Sequence, residues 1–146
     1  MSDQDAGAES GDATPLSPDE RAMFVEGVLD LAREGRTAEL LEMIEAGVSV
    51  NLSNARGDTP LILAAYREHL GTVEALLAVG ADTDMVNSMG QTALAAAIFR
   101  NNAPIVTALL DAGADTSSGT NPAMAIAQQF GLTQMQQLLE AHSSGS

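Results

Sequence analysis

The side chains able to do chemistry in this 146-residue chain are few, and most of them fall into a pattern. There are six Arg, no Lys, no Cys and two His, against 20 Asp and Glu. Two of the Arg directly follow an aromatic residue, as Tyr66-Arg67 and Phe99-Arg100, thirty-three positions apart. A guanidinium offers a planar fork to a carboxylate and stacks on a ring. Arg and aromatic residues are also the types enriched where proteins dock. The same residues could instead serve the fold, with Arg pairing to Asp58, Glu34 or Glu68 and the rings packing on their neighbours. A surface pair of that kind contributes at most about 1 kcal/mol.

Catalytic sets are harder to build. His69 and His142 are far apart, and no Ser-His-Asp arrangement can be argued on either. No cluster of His or carboxylates has the spacing of metal ligands. Without Cys, disulfides, thiol catalysis and thiolate metal sites are excluded. Glu42 and Glu45 read as charges on a solvated helix face. Gly113 to Gly119 holds no Gly-Lys-Ser/Thr and follows no strand, so it is not a phosphate loop. The expectation is a chain that is not an enzyme and uses no cofactor or metal.

The elements that position the Arg and aromatic residues come in copies. Gly57-Asp58-Thr59-Pro60-Leu61-Ile62-Leu63-Ala64-Ala65 is echoed thirty-three residues on by Gly90-Gln91-Thr92-Ala93-Leu94-Ala95-Ala96-Ala97-Ile98. Leu76-Leu77-Ala78-Val79-Gly80-Ala81-Asp82 returns at the same interval as Leu109-Leu110-Asp111-Ala112-Gly113-Ala114-Asp115. A weaker upstream copy is Met43 to Ser49. Such a period means stacked supersecondary units, none able to bury its apolar side alone. Thr59-Pro60-Leu61, Ala64-Ala65, Leu76-Leu77 and Gly80-Ala81-Asp82 together resemble an ankyrin repeat, with Ile62 where that family has His. The resemblance runs from about Ser17 to His142. It implies an all-α solenoid of four antiparallel helix pairs joined by hairpin-like fingers.

Bulk composition agrees with this reading. Only four aromatics are present, so the core must be aliphatic and Ala-rich, which suits closely packed helices. A net charge of −14 disfavours nucleic acid and anionic membrane as partners. No apolar run is long enough to span a membrane. The acidic start lacks the basic and apolar regions of a secretory signal, so a cytoplasmic location is expected. Abundant Ala and Gly without Lys points to a GC-rich genome, compatible with a bacterial protein. A monomer is expected.

In order along the chain, residues 1–16 are expected to be a disordered acidic tail. Repeats are expected at about 17–49, 50–82, 83–115 and 116–142, with 143–146 a frayed end. Ser17-Pro18-Asp19-Glu20 predicts a capping box. Met23, Phe24, Val28, Leu29 and Leu31 follow at helical spacing. Gly35 should end the first helix and Thr37 to Glu45 form its partner. Later pairs are expected at Pro60 to Arg67 with Gly71 to Val79, Thr92 to Arg100 with Ala103 to Asp111, and Ala123 to Gln129 with Thr133 to Ala141. Glu68 replaces the linking Gly35, and a left-handed Glu is strained, so the link of the second unit is expected to differ. The last finger is four residues short, as a terminal cap allows. Leu61, Leu63, Ala64, Leu76, Leu77, Leu94, Leu109 and Leu110 are the expected core. Enlarging Ala64 or Ala97 to Leu should overpack it.

The resemblance implies docking at finger tips and at the exposed end of each first helix. Those tips are Ala55, Arg56 and Asp58, then Ser88, Met89 and Gln91; the helix ends are Tyr66 and Arg67, then Phe99 and Arg100, with Arg33 in the first unit. The register puts four of the six Arg and two of the four aromatics on one ridge, where Tyr66-Arg67 and Phe99-Arg100 should stack as a column. The leading expectation is a module that binds one or more proteins through this ridge. The other is an acidic inhibitor or regulatory subunit binding through its negative surface, a mode that would weaken steeply with salt. The Arg column favours a carboxylate-bearing partner, while the overall charge favours approach of a basic one.

Overall fold

A computed structural model describes residues 15–116 and 122–144. Among the described residues there are eight helices: α1 (Pro18–Arg33), α2 (Thr37–Glu45), α3 (Pro60–Tyr66), α4 (Leu70–Ala78), α5 (Ala93–Phe99), α6 (Ala103–Asp111), α7 (Ala123–Gln129) and α8 (Thr133–Ser144). They form four antiparallel pairs. The first helices stack in one layer, α1 on α3 on α5 on α7. The second helices stack behind them, α2 on α4 on α6 on α8. Two connections between pairs, residues 46–59 and 79–92, project as fingers.

Local chemistry sets the ends. Ser17 and Glu20 exchange side-chain and backbone bonds in a capping box. Thr59 and Thr92 accept from the backbone N–H groups of Ile62 and Ala95, which starts α3 and α5. The core is aliphatic and small. Leu61, Ala64, Leu76, Leu94, Leu109 and Leu110 are buried, while Leu63 and Leu77 are half-buried against them. Ala64 and Ala97 have no exposed surface, so the first helices approach closely and leave no room for a larger side chain. In α5 every residue from Ala93 to Ile98 is buried, because other helices flank it on three sides.

Met23 and Phe24 keep the helical spacing of α1 and are 74% and 43% exposed, since among the described residues no helix packs on that side of the first unit. Two expectations change. Helix α8 runs through His142 to Ser144, past the end expected at Ala141. The link of the second unit does not differ. Glu68 adopts the same left-handed conformation, at φ +65°, as Gly35, Asn101 and Gly131 in the other links. The strain is offset by bonds from the next unit: Arg100 donates to the Glu68 carboxylate at 2.9 and 3.2 Å, and Asn102 at 3.2 Å. The tail over residues 1–14, most of the last finger and residues 145–146 lie outside the described residues. Among the described residues no helix is long and apolar enough to cross a membrane.

Candidate functional site

Each finger tip is built around an Asn. The Asn54 side-chain oxygen accepts from the backbone N–H groups of Arg56 and Asp58, at 2.9 and 3.0 Å. Asn87 does the same for Met89 and Gln91, both at 3.0 Å. The amide ends tie each tip to the preceding unit. Asn54 donates to Glu26 at 2.8 Å, and Asn87 donates to Asp58 at 3.0 Å. Backbone joins the two tips directly, from the Ser88 N–H to the Arg56 carbonyl at 2.8 Å. Gly57, at φ +80°, lets the tips come this close, since a Cβ there would meet the Asn87 Cα at 2.9 Å. Sequence reasoning missed Asn54 and Asn87. Their signal was present: both begin the tip segment and they lie one repeat apart.

Between the tips and α3 lies an open groove of about 290 Å³. Seven of the eleven expected docking residues line it: Arg56, Asp58, Tyr66, Arg67, Ser88, Met89 and Gln91. Ile62, Leu63 and Asn87 complete the lining. The groove is therefore mixed, with apolar walls from Leu63, Tyr66 and Met89 and guanidinium groups at Arg56 and Arg67.

The other four expected residues lie elsewhere. Ala55 lines a different groove, between the first finger and the start of α1. Arg33 folds onto its own helix, paired with Glu26 at 3.0 Å and with Asp30, and only 17% of its side chain is exposed. Phe99 and Arg100 belong to a column. The Tyr66 and Phe99 rings stack at 6.2 Å, and the Arg100 guanidinium lies 5.2 Å from the centre of the Tyr66 ring. Phe130 extends the column edge-on, 5.7 Å from Phe99. Sequence reasoning missed Phe130 because it caps α7 where Arg100 caps α5, one position past the register of Phe99. The column is both exposed surface and a clamp between units.

Most guanidinium groups on this face are occupied. Arg56 pairs with Asp58 at 3.4 Å and Arg100 with Glu68 at 2.9 Å. Arg67 has no ion-pair partner among the described residues. His69 is structural: its Nε2 lies 2.8 Å from the Arg33 carbonyl, which ties α4 to the end of α1. Among the described residues no cluster of three His, Asp or Glu could hold a metal.

Two carboxyl groups titrate below their ordinary range. The Asn54 amide, opposed by partial burial and helped by Arg33, holds Glu26 down. Arg100 and then Asn102 do so for Glu68. A lowered folded value stabilises the fold above the ordinary carboxyl value near 4.5 and stops doing so as pH falls through the folded value. Glu68→Gln should therefore be less stable than the native chain at neutral pH, by about 1 kcal/mol or less at so exposed a site. The difference should vanish in acid. Urea midpoints of the two proteins across pH check this; a gap that persists in acid would mean the charge is not what matters.

A family model for ankyrin repeats, in three copies, matches residues 29–120. The chain is similar to an ankyrin repeat protein of Pseudomonas aeruginosa, 42% identical over 50 residues that cover 34% of this chain and 29% of that protein. It is also similar to two Arabidopsis thaliana proteins. Acyl-CoA-binding domain-containing protein 1 is 42% identical over 53 residues, covering 36% of this chain and 16% of that protein. Acyl-CoA-binding domain-containing protein 2 is 36% identical over 58 residues, covering 40% and 16%. The match thus spans under a third of the bacterial relative and about a sixth of each plant relative.

Proposed function

The chain belongs to the ankyrin-repeat family, and from that premise we propose that it docks a partner protein in the groove between its first two fingers and α3. Repeats of this family make protein-interaction modules, and stacking supplies the rigid surface such a module needs. The observation that carries the reading is the groove itself. Residues from two fingers and one helix, up to 35 positions apart, line one cavity. Its walls are held in place without a partner, by the Asn54 and Asn87 tips and the bond from Ser88 to Arg56. A surface already ordered loses little freedom on binding. Its mixture of Tyr, Met and Arg is that of interface centres. No step of catalysis is assigned to any residue, and the chain is taken to act within the cytoplasm.

Affinity capture from a lysate of the source organism tests this. The native chain is compared with an Arg67→Ala, Met89→Ala variant, both of whose side chains are exposed. Circular dichroism should show equal helix in both. A partner held by the native chain and lost by the variant is the expected result. A partner retained equally by both would move the site to the acidic outer surface and favour a salt-sensitive regulatory mode.

A further inference from the structure

Among the described residues the groove's charge is left uncompensated in one place, and the fold itself arranges this. The chain has 20 carboxylate residues for six Arg, so an unpaired guanidinium is unexpected. Arg33, Arg36, Arg56 and Arg100 each pair with a carboxylate. Arg21 donates to the Leu16 carbonyl. Among the described residues Arg67 has no such acceptor. The acid next to it in sequence, Glu68, is turned away. Its left-handed backbone and its bonds from Arg100 and Asn102 commit that carboxylate to the third unit. Beside Arg67 the groove offers Leu63, the Tyr66 ring and Met89, which is 72% exposed. Met is an adaptable apolar contact that moulds to a partner side chain.

We propose that the groove receives an extended segment of a partner protein carrying Asp or Glu beside a large apolar residue. The carboxylate pairs with the fork of Arg67, and the apolar side chain lies against Met89, Tyr66 and Leu63. This rests on the docking function proposed above and adds the chemistry of what is docked. The net charge of −14 repels acidic segments at a distance. Recognition of this segment is therefore short-range, and its association is faster at higher salt, the reverse of a basic partner.

The probe is a phage-displayed library of random short peptides panned on the immobilised full chain, native and Arg67→Gln. Selection on the native chain should enrich Asp or Glu next to Leu, Ile, Met or Phe. Selection on Arg67→Gln should lose the acid preference and keep the apolar one. The best native peptide, measured by fluorescence anisotropy, should bind Arg67→Gln about tenfold or more weakly. Replacing its acid by the amide should weaken binding to the native chain by a similar factor and leave binding to Arg67→Gln nearly unchanged. Enriched peptides without an acid, an acid preference that survives in Arg67→Gln, or no enrichment at all would each overturn the proposal. If a lysate partner is still lost on the Arg67→Ala, Met89→Ala variant in those cases, the docking function stands and only the acidic-apolar assignment falls.

Discussion

Leu94→Ala is expected to destabilise the whole stack by about 2–5 kcal/mol, the range for truncating a fully buried Leu. Leu94 is 1% exposed in α5, the helix with others on three sides. Its neighbours in that helix are Ala93, Ala95, Ala96 and Ala97, all buried and too small to fill the space. The helices cannot slide inward, because Tyr66 and Phe99 already stack and the finger tips are already bonded. The cavity therefore persists and its lining loses dispersion contacts. In a stack each unit is stable mainly through its neighbours, so damage at α5 weakens the second and fourth units as well as the third. Met23→Ala is the control. It removes a similar number of atoms at a position 74% exposed, and its effect should stay within about 0.5 kcal/mol. Urea unfolding followed by circular dichroism measures both. Equal midpoints for the two variants would show that α5 is not the packing centre of the molecule.

The second large effect comes from one glycine. Gly57→Ala and Gly80→Ala make the same chemical change at similar backbone angles, φ +80° and +92°. Both incur about 1–2 kcal/mol of left-handed strain. At Gly80 nothing lies within 4 Å of the added Cβ, and the effect ends there. At Gly57 the Cβ would stand 2.9 Å from the Asn87 Cα and 3.4 Å from the Ser88 nitrogen and the Val86 carbonyl. These are backbone atoms, so no rotamer change can relieve the contact. The second finger must move, and the bonds from Ser88 to Arg56 and from Asn87 to Asp58 stretch or break. At about 0.5–1.5 kcal/mol for each bond, Gly57→Ala should cost roughly 2–5 kcal/mol in total. It should also open the groove. Hydrogen exchange should speed up at the Ser88 amide in Gly57→Ala and stay native in Gly80→Ala. If both variants lose the same stability and protect Ser88 equally, the fingers are not coupled through this contact.

The first layer of this protein was legible in the chain. The interval between Thr59 and Thr92, the Ser17–Glu20 capping box and the left-handed Gly35 and Gly57 are local signals. Caps and turns depend on residues within a few positions, and the repeat multiplies each signal. Six of the eight expected core residues are buried for the same reason, Leu63 and Leu77 being half-buried, and the stacking of Tyr66 on Phe99 followed too, since residues in equal register must meet in a stack. The Arg residues were legible only as a group.

Tertiary structure decided which of them are occupied. Arg33 turns back on its own helix, Arg100 reaches across to Glu68, and Arg67 is left facing the groove. Long flexible side chains choose partners by reach, within one helix for Arg33, within one tip for Arg56 and across units for Arg100, and a repeat period carries no information about reach. The same reason explains Glu68, whose unfavourable backbone is held by Arg100 and Asn102 from more than thirty residues away. It explains Asn54 and Asn87, whose amide ends bond to the preceding unit. At the ends of the stack the period stops predicting. Phe130 joins the aromatic column out of register, while Met23 and Phe24 keep the helical spacing and remain exposed. Periodicity determined what packs inside the stack, because burial repeats with the units. The folded chain determined the chemistry offered on the surface, because Arg33 and Arg56 take carboxylates near them in sequence, Arg100 takes one from the preceding unit, and Arg67 takes none among the described residues.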